Sequence, residues 1–421
     1  MTGSRLTRKP PPRESRSAIL QPIFAGIVAA ITGFASSFAL VIAGLAAVGA
    51  SDAQAASGLF ALCITVGICC VVVPWLTKVP ISFAWSTPGA ALLLAAAAST
   101  QNFAAAVGAF IVCAVLIVLC GLWPMLGRLI TRIPKPIAAA MLAGILFPIC
   151  LAPVAASVEQ PLIALPMILV WLILARLAPR WAVPAAMLVA AVGIAVMAGP
   201  EAFTAQSSMP RLEFVSPEFV PAVIVSLGLP LFIVTMAGQN VPGFAVMSTF
   251  GYAVAPRPVL LTSGVASAAG ALFGGHVINL AAITAALMAS PEAHPDRSKR
   301  WIATVTSGFA YLLLGAGAGF AAALVSAAPP ILITAVAGLA LLGALVTSVT
   351  SALEAAEHRI TAIATFLVTA SGVTIAGIGS AFWGLLVGGV FALWLGPTAR
   401  ARARDSQPEQ EPRPESERES V

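Results

Sequence analysis

The chain has 421 residues, of which 59% are hydrophobic and 9% charged, with a mean hydropathy of +0.99. Soluble domains carry about a quarter of their residues as charges, so a water-soluble fold is excluded; the apolar runs are continuous rather than alternating ten-residue segments, which excludes an outer-membrane barrel. The net charge of +6 gathers in Arg5, Arg8, Lys9, Arg13 and Arg16 before the first apolar run and in Arg400, Arg402, Arg404, Arg413 and Arg418 after the last, an arrangement of orientation-setting flanks rather than a nucleic-acid surface.

The first apolar run, from Ile19 to Val48, is too long for the apolar part of a signal peptide and reads as a retained helix. Dividing the chain at charges, Pro and Gly/Asn/Ser clusters predicts an all-α polytopic membrane protein of fourteen spans. These begin near Ile19, Gln54, Pro80, Gln101, Pro136, Gln160, Trp181, Phe219, Val259, His276, Trp301, Ile331, Arg359 and Phe382, with the third, fifth and tenth short. An even count returns both termini to one side. With both termini cytoplasmic, the inside segments hold every Lys and Arg except Arg211, while Asp52, Glu159, Glu201, Glu213 and Glu218 fall outside.

The expected organisation is a cytoplasmic basic tail at 1–17, a seven-span repeat at 18–198, a periplasmic linker at 199–217, a second seven-span repeat at 218–397 and a disordered tail of Arg, Glu, Pro and Ser at 398–421. An odd number of spans per repeat inverts the second copy. Two echoes fit this division: "VIAG" at 41–44 with "TMAG" at 235–238, and "FAWSTPGAAL" from Phe83 with "GGHVINLAAIT" from Gly274.

The third span opens with an alternating stretch through Phe83 and Trp85, then Ser86, Thr87, Pro88 and Gly89, the pattern of an extended piece followed by an N-cap and Pro in the first helical turn. The tenth opens similarly: Gly274 and Gly275 break the chain, His276 to Asn279 are extended, and a helix restarts at Leu280. Extended backbone at membrane depth needs protein or a water-filled cavity around it, and two restarted helices aim positive dipole ends at the gap, which suits an anionic or polar ligand. The alternative is that both are loops between full helices.

In the eighth span Gln239 and Asn240 lie deep in an apolar run; they either pair between helices or line a cavity. His276 is the one histidine expected within the membrane, either carrying a coupling proton or remaining a neutral capping group. Glu354 and Glu357 beside Arg359 read as a solvated cluster. Cys63, Cys69, Cys70, Cys113, Cys120 and Cys150 sit in apolar runs and read as packing thiols. No Walker, HExxH, GxSxG or Cys/His zinc pattern occurs, so no catalytic residue, metal or cofactor is predicted.

Together "FAWSTPGAALL", "LPLFIVTMAGQNVPGFAVM" and "ALFGGHVINLAAITAAL" resemble the benzoate:proton symporter (BenE) family of bacterial inner membranes, over about residues 18–397. The resemblance implies the fold of uracil and xanthine permeases and sulfate-type exchangers: a 7+7 inverted repeat with discontinuous spans 3 and 10, spans 1–4 and 8–11 as a core domain and spans 5–7 and 12–14 as a gate domain. It implies a substrate site at Ser86, Thr87, Gly89, Gln239, Asn240, His276, Asn279, Phe83 and Trp85. Nucleobase permeases carry glutamates in the eighth and tenth spans where this chain has amides and His276, which suits an aromatic carboxylate instead. Phe34, Phe38, Phe83, Trp85, Phe232 and Phe244 could form a ring slot.

The expected function is import of benzoate or a related aromatic carboxylate with protons across the inner membrane. The alternatives are an anion exchanger or nucleobase-type permease, a channel or, last, an integral-membrane enzyme. The expected partners are substrate, protons and the lipid bilayer; a homodimer is open, since this fold often dimerises.

Overall fold

A computed structural model describes residues 16–123, 125, 134–199 and 210–395. The predicted tails, apart from Arg16 and Ser17, most of the linker, and the charges Arg128, Arg132 and Glu201 lie outside the described residues. Seven described helices are long and apolar enough to cross a membrane, and a bent pair makes an eighth. The chain is thus a mostly helical polytopic membrane protein.

The first predicted span is two helices, α1 (Arg16–Ala35) and α2 (Phe38–Ala47). The chain breaks at Ser36 and Ser37, whose hydroxyls both donate to Gly33 O and compete with the helical ladder. Next comes α3 (Asp52–Thr77), started by a capping box in which Ser51 and Gln54 exchange side-chain to backbone bonds. It ends at Lys78, a left-handed residue with φ of 55°. The Lys78 ammonium lies 4.6 Å from the Trp75 ring and 3.9 Å from the Trp301 ring, tying this end to a distant helix by cation–π contact. Strand β1 (Phe83–Trp85) follows, then α4 (Thr87–Ala95) and α5 (Phe103–Leu122), the last capped by Asn102.

Proline in the first turn, where its missing N–H costs nothing, opens α6 (Lys135–Glu159), α7 (Pro161–Leu177), α8 (Pro179–Ala198), the long α9 (Pro221–Thr249) and α10 (Pro256–Ala271). Strand β2 (Ile278–Leu280), α11 (Ile283–Ala289), α12 (Trp301–Gly315), α13 (Ala318–Ser326), α14 (Pro330–Leu353), α15 (Arg359–Ala370) and α16 (Ser380–Leu395) complete the chain. The eleventh predicted span is the pair α12 and α13, bent by 56°.

Two groups of helices result. In the first, α3 packs on α12, α5 on α10, α1 on α12, and the first half of α9 on α5. In the second, α14 packs on α6, α7 on α8, and α15 on both α6 and α16. The α3–α12 contact is a glycine-on-glycine approach: a Cβ on Gly308 would stand 2.7 Å from Gly67 O, and one on Gly67 2.9 Å from Gly308 O. Close backbone approach of this kind gives the van der Waals packing that helps drive helix association in lipid.

The loop between α11 and α12 is knitted from within. Arg300, 7% exposed, donates to the carbonyls of Ala289, His294 and Pro295, so a guanidinium closes the C-terminal end of α11 where the helix dipole favours a cation. Beside it the Ser298 hydroxyl and N–H both donate to Asp296 and hold that carboxyl below its ordinary range.

Candidate functional site

The two interrupted stretches meet. β1 and β2 pair antiparallel with Phe83 opposite Leu280, Ala84 opposite Asn279 and Trp85 opposite Ile278. The ladder continues through Ser86 N–H to Val277 O and Ala281 N–H to Ser82 O. In this register the start of α4 lies at one end of the ribbon and the start of α11 at the other. Leu280 therefore belongs to the strand, and the restarted helix begins at Ile283, three residues later than the sequence suggests. Leu280 N–H donates to Asn240 Oδ1 at 2.9 Å, which rewards the extended conformation and delays the helix.

Each strand is held at its first residue by the helix before it. Cys70 Sγ in α3 accepts Phe83 N–H at 3.2 Å and lies 3.4 Å from Phe83 O. Ser267 Oγ in α10 accepts Ile278 N–H at 2.9 Å and lies 3.4 Å from Ile278 O. These grips satisfy backbone groups that would otherwise be stranded away from water. All six cysteines are free, five of them buried, and Cys70 does more than fill space: it anchors β1.

Ser86 is the N-cap of α4, accepting Gly89 N–H at 3.1 Å, and Thr235 Oγ1 in α9 donates to it at 3.0 Å. Gly89 is needed by packing, since a Cβ there would stand 2.6 Å from Leu231 Cδ1 and 2.9 Å from Ser86. Asn240, fully buried, bonds β2 through its oxygen and approaches Met236 Sδ at 3.3 Å with its nitrogen. Asn279 is also fully buried; with its amide oxygen turned toward β1 it accepts Ser86 N–H at 3.1 Å. By contrast, Thr87 and Gln239 are only half-buried. Of the predicted polar residues, then, Ser86 and Asn240 are occupied in joining α9 to the two broken stretches, Asn279 joins β2 to the start of α4, and Thr87 and Gln239 are open.

His276 is fully buried just before β2, its ring 6.5 Å from that of Phe110, and neither ring nitrogen has a partner among the described residues. Trp85 Nε1 donates to Ser37 Oγ at 2.9 Å, and its ring packs edge-on at 6.1 Å from Phe34 and 5.5 Å from Tyr311, with Phe34 stacked on Phe38 at 5.0 Å. Phe83 and Phe232 are buried, and Phe244 is half-buried. Thr235, Ser37, Ser267 and Tyr311 were not singled out by sequence reasoning, and Cys70 was read only as a packing thiol. A lone hydroxyl or thiol in an apolar run has no periodicity to mark it.

Of the two open residues, Gln239 owes its setting to the shape of α9. A proline inside a helix clashes with the carbonyl four residues earlier, and Pro230 and Pro242 face the carbonyls of Ser226 and Gly238. Both carbonyls fall in widened π turns, Ile224–Gly228 and Met236–Asn240. Turns of this kind recur at functional sites. Gln239 lies in the second, and a Cβ on neighbouring Gly238 would meet, among the described residues, only Leu142 Cδ2 of α6, at 3.5 Å. No carboxylate lies within hydrogen-bonding distance of these polar side chains, and no cluster able to hold a metal ion occurs, among the described residues.

The sequence profile described as "Benzoate membrane transport protein" (BenE) matches residues 17–393. The chain is 42% identical over 370 residues to the inner membrane protein YdcO of Escherichia coli (strain K12), covering 87% of this chain and 94% of that one. It is 37% identical over 314 residues to the benzoate membrane transport protein of Acinetobacter baylyi, covering 74% and 79%. Among solved structures, the transmembrane domain of the cyanobacterial bicarbonate transporter BicA superposes with a TM-score of 0.59 at 16% identity, covering 89% of this chain and 98% of that one. The murine SLC26A9 anion transporter in its inward-facing state gives 0.56 at 14% identity, covering 92% and 69%.

Proposed function

The chain belongs to the benzoate membrane transport protein family, and from that premise we propose that it is a secondary active transporter importing benzoate or a related aromatic carboxylate together with protons. It works by alternating access, as a 7+7 inverted repeat of fourteen spans with both termini cytoplasmic. The repeats run over 18–198 and 218–397, joined by the linker at 199–217. Spans 1–4 and 8–11, the first helix group, are the core; spans 5–7 and 12–14, the second group, are the gate.

One observation carries this reading. The two broken stretches meet as antiparallel strands whose first residues, 195 apart, are gripped in the same way by Cys70 and by Ser267. Inversion of one repeat onto the other explains both grips together. The packing agrees: α3 on α12 mirrors α10 on α5, α7 on α8 mirrors α15 on α16, and α6 meets α14, its own counterpart. Binding at the crossing of such breaks is a recurring transporter design.

A carboxylate at this crossing meets the positive end of α4 and the open donors Thr87 and Gln239, with no fixed carboxylate among the described residues to repel it. Ser86, Gly89, Asn240 and Asn279 shape the site from behind, His276 is the proton carrier, and the aromatic group of Phe34, Phe38, Trp85 and Tyr311 is the apolar wall nearest β1.

The test is uptake of labelled benzoate into proteoliposomes under an inward proton gradient, after subtracting protein-free liposomes, because benzoic acid crosses bilayers unaided. Saturable uptake, abolished by a protonophore and blocked by salicylate but not by uracil or sulfate, is the expected result. No excess uptake would remove benzoate as substrate, and uptake indifferent to the protonophore would remove proton coupling.

A further inference from the structure

The polar contacts of α9 fall on either side of its second widened turn. Thr235, the residue before that turn, donates to Ser86 at the start of α4; Asn240, its last residue, accepts from Leu280 of β2. Both side chains are fully buried. Residues five apart on a regular α-helix point about 140° away from each other, so one face could not offer both to the strand ribbon. In the widened turn, where Val241 N–H bonds Met236 O, residues five apart come nearly onto one face. Thr235 and Asn240 therefore grip β1–α4 and β2 at the same time. Gln239, between them, is left half-buried while both neighbours in the clamp are closed off.

We propose that Thr235 and Asn240 are positioning residues: their paired hydrogen bonds hold the Met236–Asn240 turn open and thereby present the Gln239 amide to the substrate carboxylate. This rests on the reading of the site given above and adds the device that orients its amide donor. The two bonds serve different broken stretches, Ser86 at the start of α4 in one and Leu280 of β2 in the other, so the clamp also fixes the height of Gln239 relative to both. Loss of either bond lets the turn relax toward regular helix, which swings residue 239 around the axis and away from the gap.

The test follows the water accessibility of position 239. Gln239→Cys is made in the full-length chain and its modification by a small methanethiosulfonate reagent is timed, with the parent chain giving the background from its native thiols. Rapid modification is expected. Adding Thr235→Val or Asn240→Leu is expected to slow it by roughly five- to tenfold, the shift that one hydrogen bond of ordinary net strength produces. Thr235→Ser, which keeps the hydroxyl, should restore the rate. Unchanged rates with Thr235→Val and Asn240→Leu would overturn the proposal, as would failure of Thr235→Ser to restore the rate. Should Asn240→Leu not fold, the Val and Ser variants of Thr235 decide alone. Repeating the timing with benzoate separates the two readings. Protection supports benzoate as the ligand. Absence of protection with the dependence on Thr235 intact discards benzoate here and leaves the clamp standing.

Discussion

His276 carries the largest unpaid polar cost among the predicted site residues. Buried donors and acceptors without partners cost roughly 1–3 kcal/mol each, and neither of its ring nitrogens has a partner among the described residues. A purely structural histidine in this position would be improved by an apolar residue. A proton carrier would not be, because its use lies in the charge it takes up during the cycle. His276→Ala is therefore expected to abolish proton-driven accumulation in proteoliposomes while leaving benzoate binding by calorimetry within about threefold of the parent, a shift under 1 kcal/mol. Equal loss of binding and accumulation, or no loss of either, would take the coupling role from this residue. The position was legible as a lone histidine in an apolar run. Its isolation was not, because a ring's partners come from other elements.

At the scale of the element, α9 is the segment whose local chemistry decides most about the site. Its two internal prolines, Pro230 and Pro242, remove two backbone donors and push back the carbonyls of Ser226 and Gly238, and the helix widens where they do so. Pro242→Ala removes the clash that favours the second turn. The expected outcome is an equal or higher melting temperature together with benzoate affinity lowered by about tenfold, the equivalent of 1.4 kcal/mol. Unchanged affinity would show that the hydrogen bonds of Thr235 and Asn240 hold the turn without the proline. The "GQNVPG" string was legible as polar groups in an apolar run, but it gave no sign that Gln239 and Asn240 would differ: Asn240 is spent on Leu280 N–H and Gln239 is open. Adjacent residues on a helix point in different directions, and which direction meets β2 is a tertiary fact.

At the scale of the molecule, the proposed alternating access requires the two helix groups to move against each other. A hydrogen bond joins them: Gly379 N–H, ahead of α16, donates to Ser226 Oγ in the first widened turn of α9 at 2.9 Å. A Cβ at Gly379 would stand 3.2 Å from Ser226 Oγ, a spacing that suits a disulfide. In the double variant Ser226→Cys, Gly379→Cys, mild oxidation is expected to stop benzoate uptake and reduction to restore it, with each single variant insensitive to oxidant. Full activity of a demonstrably cross-linked protein would mean that the two groups do not separate at this point, and the proposed movement would have to be relocated.

Membrane insertion, helical class and the two places where the third and tenth predicted spans break follow from local sequence, because hydropathy, Pro and paired Gly act over a few residues and need no partner. Family membership was legible too, since three strings carry it. What only the tertiary structure decided is the pairing of β1 with β2, the grips of Cys70 and Ser267, and which polar residues are spent on scaffolding and which remain open. Those depend on hydrogen bonds between residues as far apart as Cys70 and Phe83, Ser86 and Thr235, or Asn240 and Leu280. In an apolar run each of these residues satisfies the same local pattern whether or not its partner arrives, and only the packed fold brings the partner.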